Sequence, residues 1–180
     1  MNRNVIGFLA SFMMLLCTFS VCAQNGALSE YRLGSGDKIR IHVFGEDTLT
    51  VETLLSDAGT ISYPFLGEIK VKGLTAGQLE KLITDGLKGP YLVDPKVNVS
   101  VLEYRPFYIH GEVQKSGGYP YQPGLTLRKA ISLASGFTER AAEDKIYVIH
   151  EGDTAQAHQP MKMDDPVSPG DTITVEQSFF

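Results

Sequence analysis

Two segments of this chain, residues 111–138 and residues 67–87, repeat one order of local signals. In each segment Gly-Glu and an aliphatic residue are followed by Gly-Leu-Thr, and Gly-Leu-Thr opens an amphipathic run. Glycine is preferred in turns, and threonine is preferred immediately before a helix. The two segments therefore predict two separate helices, with the rest of the chain forming strands around them.

The helix predicted in residues 67–87 has the stronger start. Thr75 is placed as its N-cap, and Gln78 three residues later completes a capping box. Gly89 and Pro90 end the run, because proline cannot continue a helix. Four aliphatic residues at helical spacing form its predicted core face: Leu79, Leu82, Ile83 and Leu87.

The helix predicted in residues 111–138 has a weaker start and a clear stop. Thr126 is placed as the N-cap, but Lys129 occupies the position where glutamate or glutamine would complete the box. Gly136 is predicted to end the helix at the C′ position. Its predicted apolar stripe consists of Leu127, Ala130, Ile131 and Ala134.

Runs in which apolar and polar residues alternate predict strands in the rest of the chain. Ile39, Ile41 and Val43, for example, alternate with charged or polar residues, which is the period of a half-buried strand. The predicted strands are residues 38–44, 50–55, 60–63, 67–71, 96–104, 107–110, 145–150 and 172–175. Strands with two lone helices and no regular β-α-β alternation predict an α+β fold. Arg105 and Pro106 interrupt the strand patterns, so the boundary between two small domains is predicted there.

The first residues, 1–23, have the pattern of a secretory signal peptide. A short positive start is followed by a mostly apolar run in residues 5–21, and cleavage is predicted after Ala23. The apolar run is close to the shortest membrane span, so an uncleaved anchor is one alternative. Acylation of Cys22 as a lipoprotein is another, although a valine precedes that cysteine where a lipobox has a small residue. Each alternative predicts export.

Cysteine content and charge exclude several classes of function. Cys17 and Cys22 both lie in the predicted signal peptide, so the mature chain has no thiol for disulfides, metal ligation or nucleophilic catalysis. The formal net charge is −5, and the chain has no basic cluster that could neutralise phosphates. Nucleic acid is therefore not an expected partner.

The sequence predicts no catalytic, cofactor or metal site. It contains no Gly-x-Ser-x-Gly elbow, and the neighbouring acids Glu46–Asp47 and Asp164–Asp165 are interpreted as solvated loop residues. Paired carboxylates for glycoside cleavage remain an alternative. Four histidines lack metal-ligand spacing and are expected to be solvated or at the edge of a core: His42, His110, His150 and His158.

Aromatic residues gather around the predicted domain boundary and the glycine-rich turn that follows it. Tyr119 and Tyr121 are the candidate glycan contacts, because aromatic rings can stack on sugars. The alternative is that Phe107 fills the core while the tyrosines cover turns.

From residue 31 onward the chain resembles the polysaccharide export family of outer-membrane and periplasmic proteins. Residues 31–41, YRLGSGDKIRI, resemble the family's opening signature Y-x-L-G-x-G-D and the alternating strand that follows it. Residues 56–61, SDAGTI, and residues 71–75, VKGLT, resemble the next block. Residues 94–97, DPKV, resemble the Asn-Pro-x-Val lead into the third. The resemblance implies a polysaccharide export domain over residues 28–105.

The second half resembles the soluble-ligand-binding β-grasp (SLBB) module that follows the export domain in this family. Residues 111–136 resemble its strand, turn and helix, and residues 169–173 resemble its closing turn and strand. The resemblance implies an SLBB domain of β-grasp fold over residues 106–177. Where the family's helix ends in Ala-Gly-Gly, this chain has Ala-Ser-Gly, which keeps the final glycine.

The resemblance also assigns structural roles to glycines, acids and a proline of these motifs. These residues are Gly34, Gly36, Asp37, Asp57, Gly59, Pro64, Gly67, Gly73, Gly111, Glu112, Gly118, Gly136, Gly170 and Asp171.

The function that the resemblance implies is export of exopolysaccharide or capsule, without enzymatic activity. It implies a ring-forming homo-oligomer in the periplasm, associated with the outer membrane and in contact with polysaccharide. Long family members continue into an amphipathic helix that lines the outer-membrane pore, and this sequence has no such helix after the last predicted strand. An inner-membrane polysaccharide co-polymerase and a separate outer-membrane channel protein are therefore the expected partners. A soluble carbohydrate-binding module and a polysaccharide-processing enzyme are the alternatives.

Overall fold

The computed structural model describes residues 31–153, 155 and 157–178. The predicted signal peptide, residues 1–23, and the alternative acylation of Cys22 lie outside the described residues. Within the described residues, two α-helices pack against strands that belong to two main sheets and one hairpin. The predicted fold class, α+β, is confirmed.

The first sheet contains β1 (Lys38–Val43), β2 (Val51–Leu54) and β5 (Val97–Glu103) in the order β2-β1-β5, with antiparallel pairing throughout. Helix α1 (Ala76–Leu87) covers one face. The alternating residues of β1 point toward this helix and are fully buried. Burial of each such aliphatic side chain stabilises the fold by about 1.5–3 kcal/mol. This core holds the first domain together.

The capping box predicted at the start of α1 is confirmed. The Thr75 Oγ1 accepts a hydrogen bond from the Gln78 N–H at 3.2 Å, and the Gln78 Oε1 accepts one from the Thr75 N–H at 2.9 Å. The prediction for Leu82 is wrong, because this residue is 39% exposed at the solvent edge of the helix. The buried stripe follows a four-residue spacing and consists of Leu79, Ile83 and Leu87.

A separate hairpin, β3 (Thr60–Tyr63) and β4 (Gly67–Lys70), packs onto the same core. Its anchor is Tyr63, which is buried and donates its hydroxyl hydrogen to the Leu49 carbonyl oxygen at 2.9 Å. Leu49 ends a short 3₁₀-helix, Asp47–Leu49, that the sequence patterns did not predict.

Within the described residues the second sheet has five strands: β6 (Phe107–Gly111), β7 (Gly117–Tyr119), β8 (Ala141–Ile149), β9 (Gln159–Pro160) and β10 (Thr172–Gln177). Their order in the sheet is β7-β6-β10-β8-β9. The central strand β10 runs parallel to β6 and antiparallel to β8. Helix α2 (Leu127–Leu133) contributes to the core of this sheet.

Two predictions about the ends of α2 are wrong in detail. Thr126 is the N-cap residue, but its side chain forms no capping hydrogen bond. The first helical N–H groups, of Leu127 and Arg128, donate instead to carbonyl oxygens of the loop at residues 163–165, at 3.0 and 2.8 Å. At the other end Ser135, with φ +66°, takes the C′ position that was predicted for the following glycine.

The edge strands β7 and β9 were not predicted, because neither has a side-chain pattern. The first contains two glycines and the second contains Pro160, which are residues tolerated mainly at sheet edges. Each pairs with one neighbouring strand, β7 with β6 and β9 with β8. Their position in the sheet depends on strands far away in the sequence.

Two hydrophobic cores lie on the two sides of Arg105 in the sequence. The first runs from Leu33 to Val99, and the second from Phe107 to Val175. The domain bounds of 28–105 and 106–177 stay predictions. Nowhere in the described part of the chain is a helix long and apolar enough to cross a membrane.

Candidate functional site at the domain junction

Each domain has the same turn immediately before the middle strand of its sheet. In residues 34–37 and residues 168–171, the N–H of the final aspartate donates to the carbonyl oxygen of the first residue, at 3.2 Å in both turns. The third residue is glycine with φ +90° or +85°, as a type II turn requires. The carboxylate of the aspartate then accepts the N–H of the first residue, at 2.8 and 2.7 Å. The two turns are therefore closed in the same way.

Asp37, the aspartate of the first turn, binds Arg105, the residue that lies between the two domains in the sequence. Its carboxylate accepts the backbone N–H of Arg105 at 2.9 Å and pairs with the Arg105 Nη1 at 3.2 Å. The Tyr31 hydroxyl donates to the same carboxylate at 2.5 Å. Burial and this hydrogen bond raise the pKa of Tyr31. Asp37 is fully buried, so these hydrogen bonds and the ion pair compensate for the loss of water around its carboxylate.

Arg105 also forms an ion pair with Glu151, which follows β8 in the second domain. Burial alone would lower the pKa of Arg105, but the neighbouring Tyr31, Asp37 and Glu151 raise it overall. The Arg105 side chain is 16% exposed. Loss of one partner from a buried ion pair such as Arg105–Asp37 typically costs about 3–5 kcal/mol, whereas the Glu151 side chain is 36% exposed and its pair with Arg105 contributes less. The guanidinium therefore links the domains through one carboxylate from each.

The aspartate of the second turn, Asp171, has a different partner. Its Oδ1 lies 2.8 Å from the Nδ1 of His150, whose side chain is 42% exposed. Burial raises the pKa of Asp171, while the Ser168 N–H, His150 and Arg105 oppose that shift. The side-chain partner of this carboxylate is therefore much more exposed than the Arg105 guanidinium that binds Asp37.

Two motif glycines make room for the arginine. A Cβ atom at Gly34 would overlap the guanidinium of Arg105, and a Cβ atom at Gly170 would overlap the Glu151 carboxylate. Gly170 also has φ +85°, which side-chain-bearing residues rarely adopt. The domain junction therefore explains why small residues occupy both turns.

Three tyrosine rings, two from the first domain and one from the second, pack against one another at the junction. Tyr104 packs edge-on against Tyr31 and Tyr121, with ring centroids 4.9 and 5.4 Å apart. Burial raises the pKa of Tyr121. Tyr119 is also partly buried, and its hydroxyl donates to the Lys115 carbonyl oxygen at 2.6 Å. Contact of Tyr119 and Tyr121 with glycan stays a prediction.

Comparison with known proteins identifies both halves of this arrangement. The family model described as polysaccharide biosynthesis/export protein matches residues 25–102, and the SLBB domain model matches residues 106–158. The chain belongs to the polysaccharide export family. The two matches leave between them residues 103–105, so Arg105 lies where the two family domains meet.

Relatives of this family with curated descriptions are similar over most or half of the chain. The exopolysaccharide production protein ExoF of Rhizobium meliloti is 32% identical over 78% of this chain and 38% of its own length. The EPS I polysaccharide export outer membrane protein EpsA of Ralstonia nicotianae is 27% identical over 82% of this chain and 47% of its own length. The polysialic acid transport protein KpsD of Escherichia coli is 32% identical over 54% of this chain and 18% of its own length. The chain therefore spans less than half the length of these relatives.

Other family-motif residues of the export domain lie outside the junction cluster. Gly59 has φ +73°, and a Cβ atom there would overlap the Lys72 side chain. The backbone carbonyl of Gly59 accepts the N–H groups of Val71 and Lys72, at 2.8 and 2.9 Å, and so ties the two ends of the hairpin together. The motif residues in and around this hairpin are Asp57, Gly59, Pro64, Gly67 and Gly73.

Three further SLBB motif residues, Gly111, Glu112 and Gly136, lie away from the junction cluster. Gly111 has φ +90°, and a Cβ atom there would overlap the Val175 carbonyl oxygen of the parallel neighbour β10. The Glu112 carboxylate accepts the Thr138 hydroxyl, and Gly136 follows the end of α2 with φ +92°. These residues shape the sheet and the helix end.

Sequence reasoning missed an exposed aromatic pair in the export domain. Phe65, at the tip of the β3–β4 hairpin, stacks on Tyr91 with ring centroids 4.7 Å apart. The two side chains are 62% and 47% exposed. Phe65 has φ +64°, a conformation that costs energy for a bulky residue. An aromatic residue after a proline in a hairpin loop was the available signal.

Proposed function

We propose that this chain is a non-enzymatic component of a machine that exports exopolysaccharide or capsule. The proposal is carried by one observation, the occurrence of a polysaccharide biosynthesis/export match and an SLBB match in order on one chain. The descriptions of the relatives as exopolysaccharide production, polysaccharide export outer membrane and polysialic acid transport proteins support it. Those descriptions also favour a periplasmic location associated with the outer membrane.

The proposed mechanism is passive and depends on geometry. Arg105 ties the export domain to the SLBB domain through Asp37 and Glu151, so that the two can act as one rigid unit. Copies of this unit assemble as a ring or adaptor around the polymer. The passage needs only to exclude leakage and to bind the polymer weakly enough to release it. The proposed partners are the polysaccharide, an inner-membrane co-polymerase and a separate outer-membrane channel protein.

Deletion of the gene tests this proposal. Polymer should still be synthesised but should be absent from the cell surface, and expression of the wild-type chain should restore it. Cross-linking of the native protein should recover homo-oligomers together with membrane partners. Normal surface polymer in the deletion strain would contradict the proposal.

A soluble carbohydrate-binding module is the second candidate, favoured by the exposed aromatic pair Phe65–Tyr91. Such a module would be monomeric and would bind glycan through this pair or through Tyr119 and Tyr121. Sizing of the protein together with glycan titration separates the two candidates. A monomer whose micromolar glycan affinity is lost on Tyr119→Ala or Tyr121→Ala would favour the second.

A further inference from the structure

A groove of about 360 Å³ runs along the junction between the two domains. Ligand pockets in proteins often lie at domain interfaces and begin at about 300 Å³, so this groove has room for a small ligand. Both domains contribute to its lining, which consists of Ser35, Gly36, Arg105, Pro106, Tyr108, Glu151, Gly170 and Thr172. It therefore offers one aromatic ring, one ion pair and three hydroxyl groups, those of Ser35, Tyr108 and Thr172.

The aromatic ring of the groove is held in a defined orientation. Tyr108 lies on β6, opposite Gly118 of β7, and is 49% exposed. A Cβ atom at Gly118 would lie 2.9 Å from the Tyr108 ring, so the ring lies directly over the glycine backbone. One side of the ring is supported in this way, which leaves the rest available to a ligand. The negative face of an aromatic ring attracts the weakly positive C–H groups of a sugar ring.

The polar groups of the groove suit hydroxyl groups. The Arg105 guanidinium is fixed by Asp37 and Tyr31, and it supplies N–H donors beside the Glu151 carboxylate, which is an acceptor. A sugar hydroxyl both donates and accepts, so it can satisfy such a pair. The Ser35 hydroxyl donates to the Asp57 carbonyl oxygen at 3.2 Å, which leaves its oxygen free to accept a hydrogen bond.

The charges of the groove disfavour an acidic sugar. Arg105 and Glu151 are the charged side chains that line it, and the buried Asp37 carboxylate also contacts Arg105. Arg105 is ion-paired with these two carboxylates and also faces that of Asp171, so the cluster carries no surplus positive charge for the carboxylate of a uronic acid. An added carboxylate would meet these like charges.

We propose that the junction groove binds one or two neutral hexose residues of the exported polymer. The proposal rests on the proposed function, and it names the class of sugar and the place where a passing chain would contact this protein. A ligand of this size in an open groove is expected to bind weakly, with a Kd on the order of 1 mM. Weak binding is compatible with transport, because the polymer must also leave.

The groove is tested by titrating the mature protein, purified from the periplasmic fraction, with cellohexaose while amide chemical shifts are recorded. Oligogalacturonate of the same length is the acidic comparison. Amide chemical shifts should move around Arg105, Tyr108 and Gly118, and oligogalacturonate should bind at least about fivefold more weakly, which corresponds to about 1 kcal/mol. Neutral oligosaccharide that moves no shifts at about 20 mM, or tighter binding of the oligogalacturonate, would overturn the proposal.

Two substitutions and one matched control locate the site. Tyr108→Ala should raise the Kd for cellohexaose at least about fivefold. Gly118→Ala should weaken binding too, because its Cβ displaces the ring. The control Phe44→Ala removes an aromatic ring that is 61% exposed in the turn after β1 of the first domain, and it should leave binding unchanged. Binding that survives Tyr108→Ala but is lost on Tyr121→Ala would overturn the groove in favour of the tyrosines.

The failure of the groove and the failure of the proposed function can be told apart. If the deletion strain loses surface polymer while the purified chain binds neither oligosaccharide, export stands and the groove is wrong. If the chain binds cellohexaose through Tyr108 while the deletion strain keeps normal surface polymer, the groove stands and the export function is wrong.

Discussion

The two domains use the same local devices and place them in different surroundings. Each has a glycine–aspartate turn before the middle strand of its sheet, and each has Gly-Leu-Thr before its helix. In the first domain the aspartate binds Arg105, which is permanently charged, and the threonine caps the helix. In the second the aspartate binds His150, whose side chain is 42% exposed, and the threonine side chain forms no cap. A shared motif therefore predicts the backbone but not the energetic contribution of its side chains.

The largest expected difference in stability is between substitutions of the two turn aspartates, Asp37 and Asp171. Asp37→Asn keeps the shape of the side chain but removes one of the two carboxylates that balance a mostly buried guanidinium. It should lower the free energy of unfolding by about 3 kcal/mol. Asp171→Asn should lower it by about 1 kcal/mol or less, because burial already disfavours the charged carboxylate at that position.

Urea unfolding of both variants at pH 7 measures this difference. Equal costs, or a larger cost for Asp171→Asn, would contradict the different roles assigned to the two turns. Asp164→Asn is the matched control, because Asp164 pairs with Arg128 on the surface and its side chain is 85% exposed. Its cost should be within about 1 kcal/mol.

The first position of each turn provides the next comparison. Gly34→Ala places a methyl group against the Arg105 guanidinium and should cost about 2 kcal/mol through overpacking. Ser168 occupies the matching position in the second turn and is exposed, so Ser168→Ala should change stability by less than about 0.5 kcal/mol.

A double-mutant cycle shows whether the arginine is the cause. In an Arg105→Ala background, Gly34→Ala should cost close to nothing, because the group that it displaces is gone. If Gly34→Ala lowers the free energy of unfolding by the same amount in that background, the need for glycine at position 34 comes from the backbone of the turn and not from the domain junction.

The sequence predicted the turns, the first helix and most of the strands, because their signals are local. The capping box of Thr75 and Gln78 spans four residues, and the alternation in β1 is visible within six. The junction could not be predicted in this way. Arg105 contacts Asp37, 68 positions away, and Glu151, 46 positions away. Its neighbours in the sequence carry no sign of either contact, although Arg105 was correctly identified as a break between strands.

The ends of α2 illustrate the same limit on a smaller scale. Thr126 has the right residue type for a cap, yet carbonyl oxygens of the loop at residues 163–165 accept the first helical N–H groups in place of its side chain. A helix start that receives backbone partners from a distant loop has less need of a side-chain cap. The residue type was a correct guide to the position of the helix, but not to the hydrogen bond.

Titration of Asp171 gives a third way to separate the two turns. Burial raises its pKa in the folded protein. A carboxyl group whose pKa is higher in the folded state binds its proton more tightly there, so stability falls as pH rises from the unfolded value, about 3.9, through the folded one. Asp171→Asn cannot titrate and removes this contribution.

Urea unfolding at several pH values between about 3 and 7 measures the effect. The free energy of unfolding of the wild type should decline with pH relative to that of Asp171→Asn. His150 and Arg105 face the same carboxylate, so the comparison is repeated in a His150→Gln background, where the decline should be larger because one favourable partner of the charged form is lost. A wild type that gains stability relative to the variant as pH rises would contradict the prediction.

The smallest expected difference concerns the two helix caps. Thr75→Ala removes the acceptor for the Gln78 N–H and one half of the capping box, and it should cost about 1 kcal/mol. Thr126→Ala removes no capping hydrogen bond and should cost only about 0.3 kcal/mol, in line with other changes at sites without a special contact. Thermal unfolding of the two variants and of Thr75→Ser, which keeps the hydroxyl, measures the difference. If Thr126→Ala costs as much as Thr75→Ala while Thr75→Ser behaves like the wild type, a threonine hydroxyl contributes equally at both helix starts, and the backbone acceptors of residues 163–165 do not replace it.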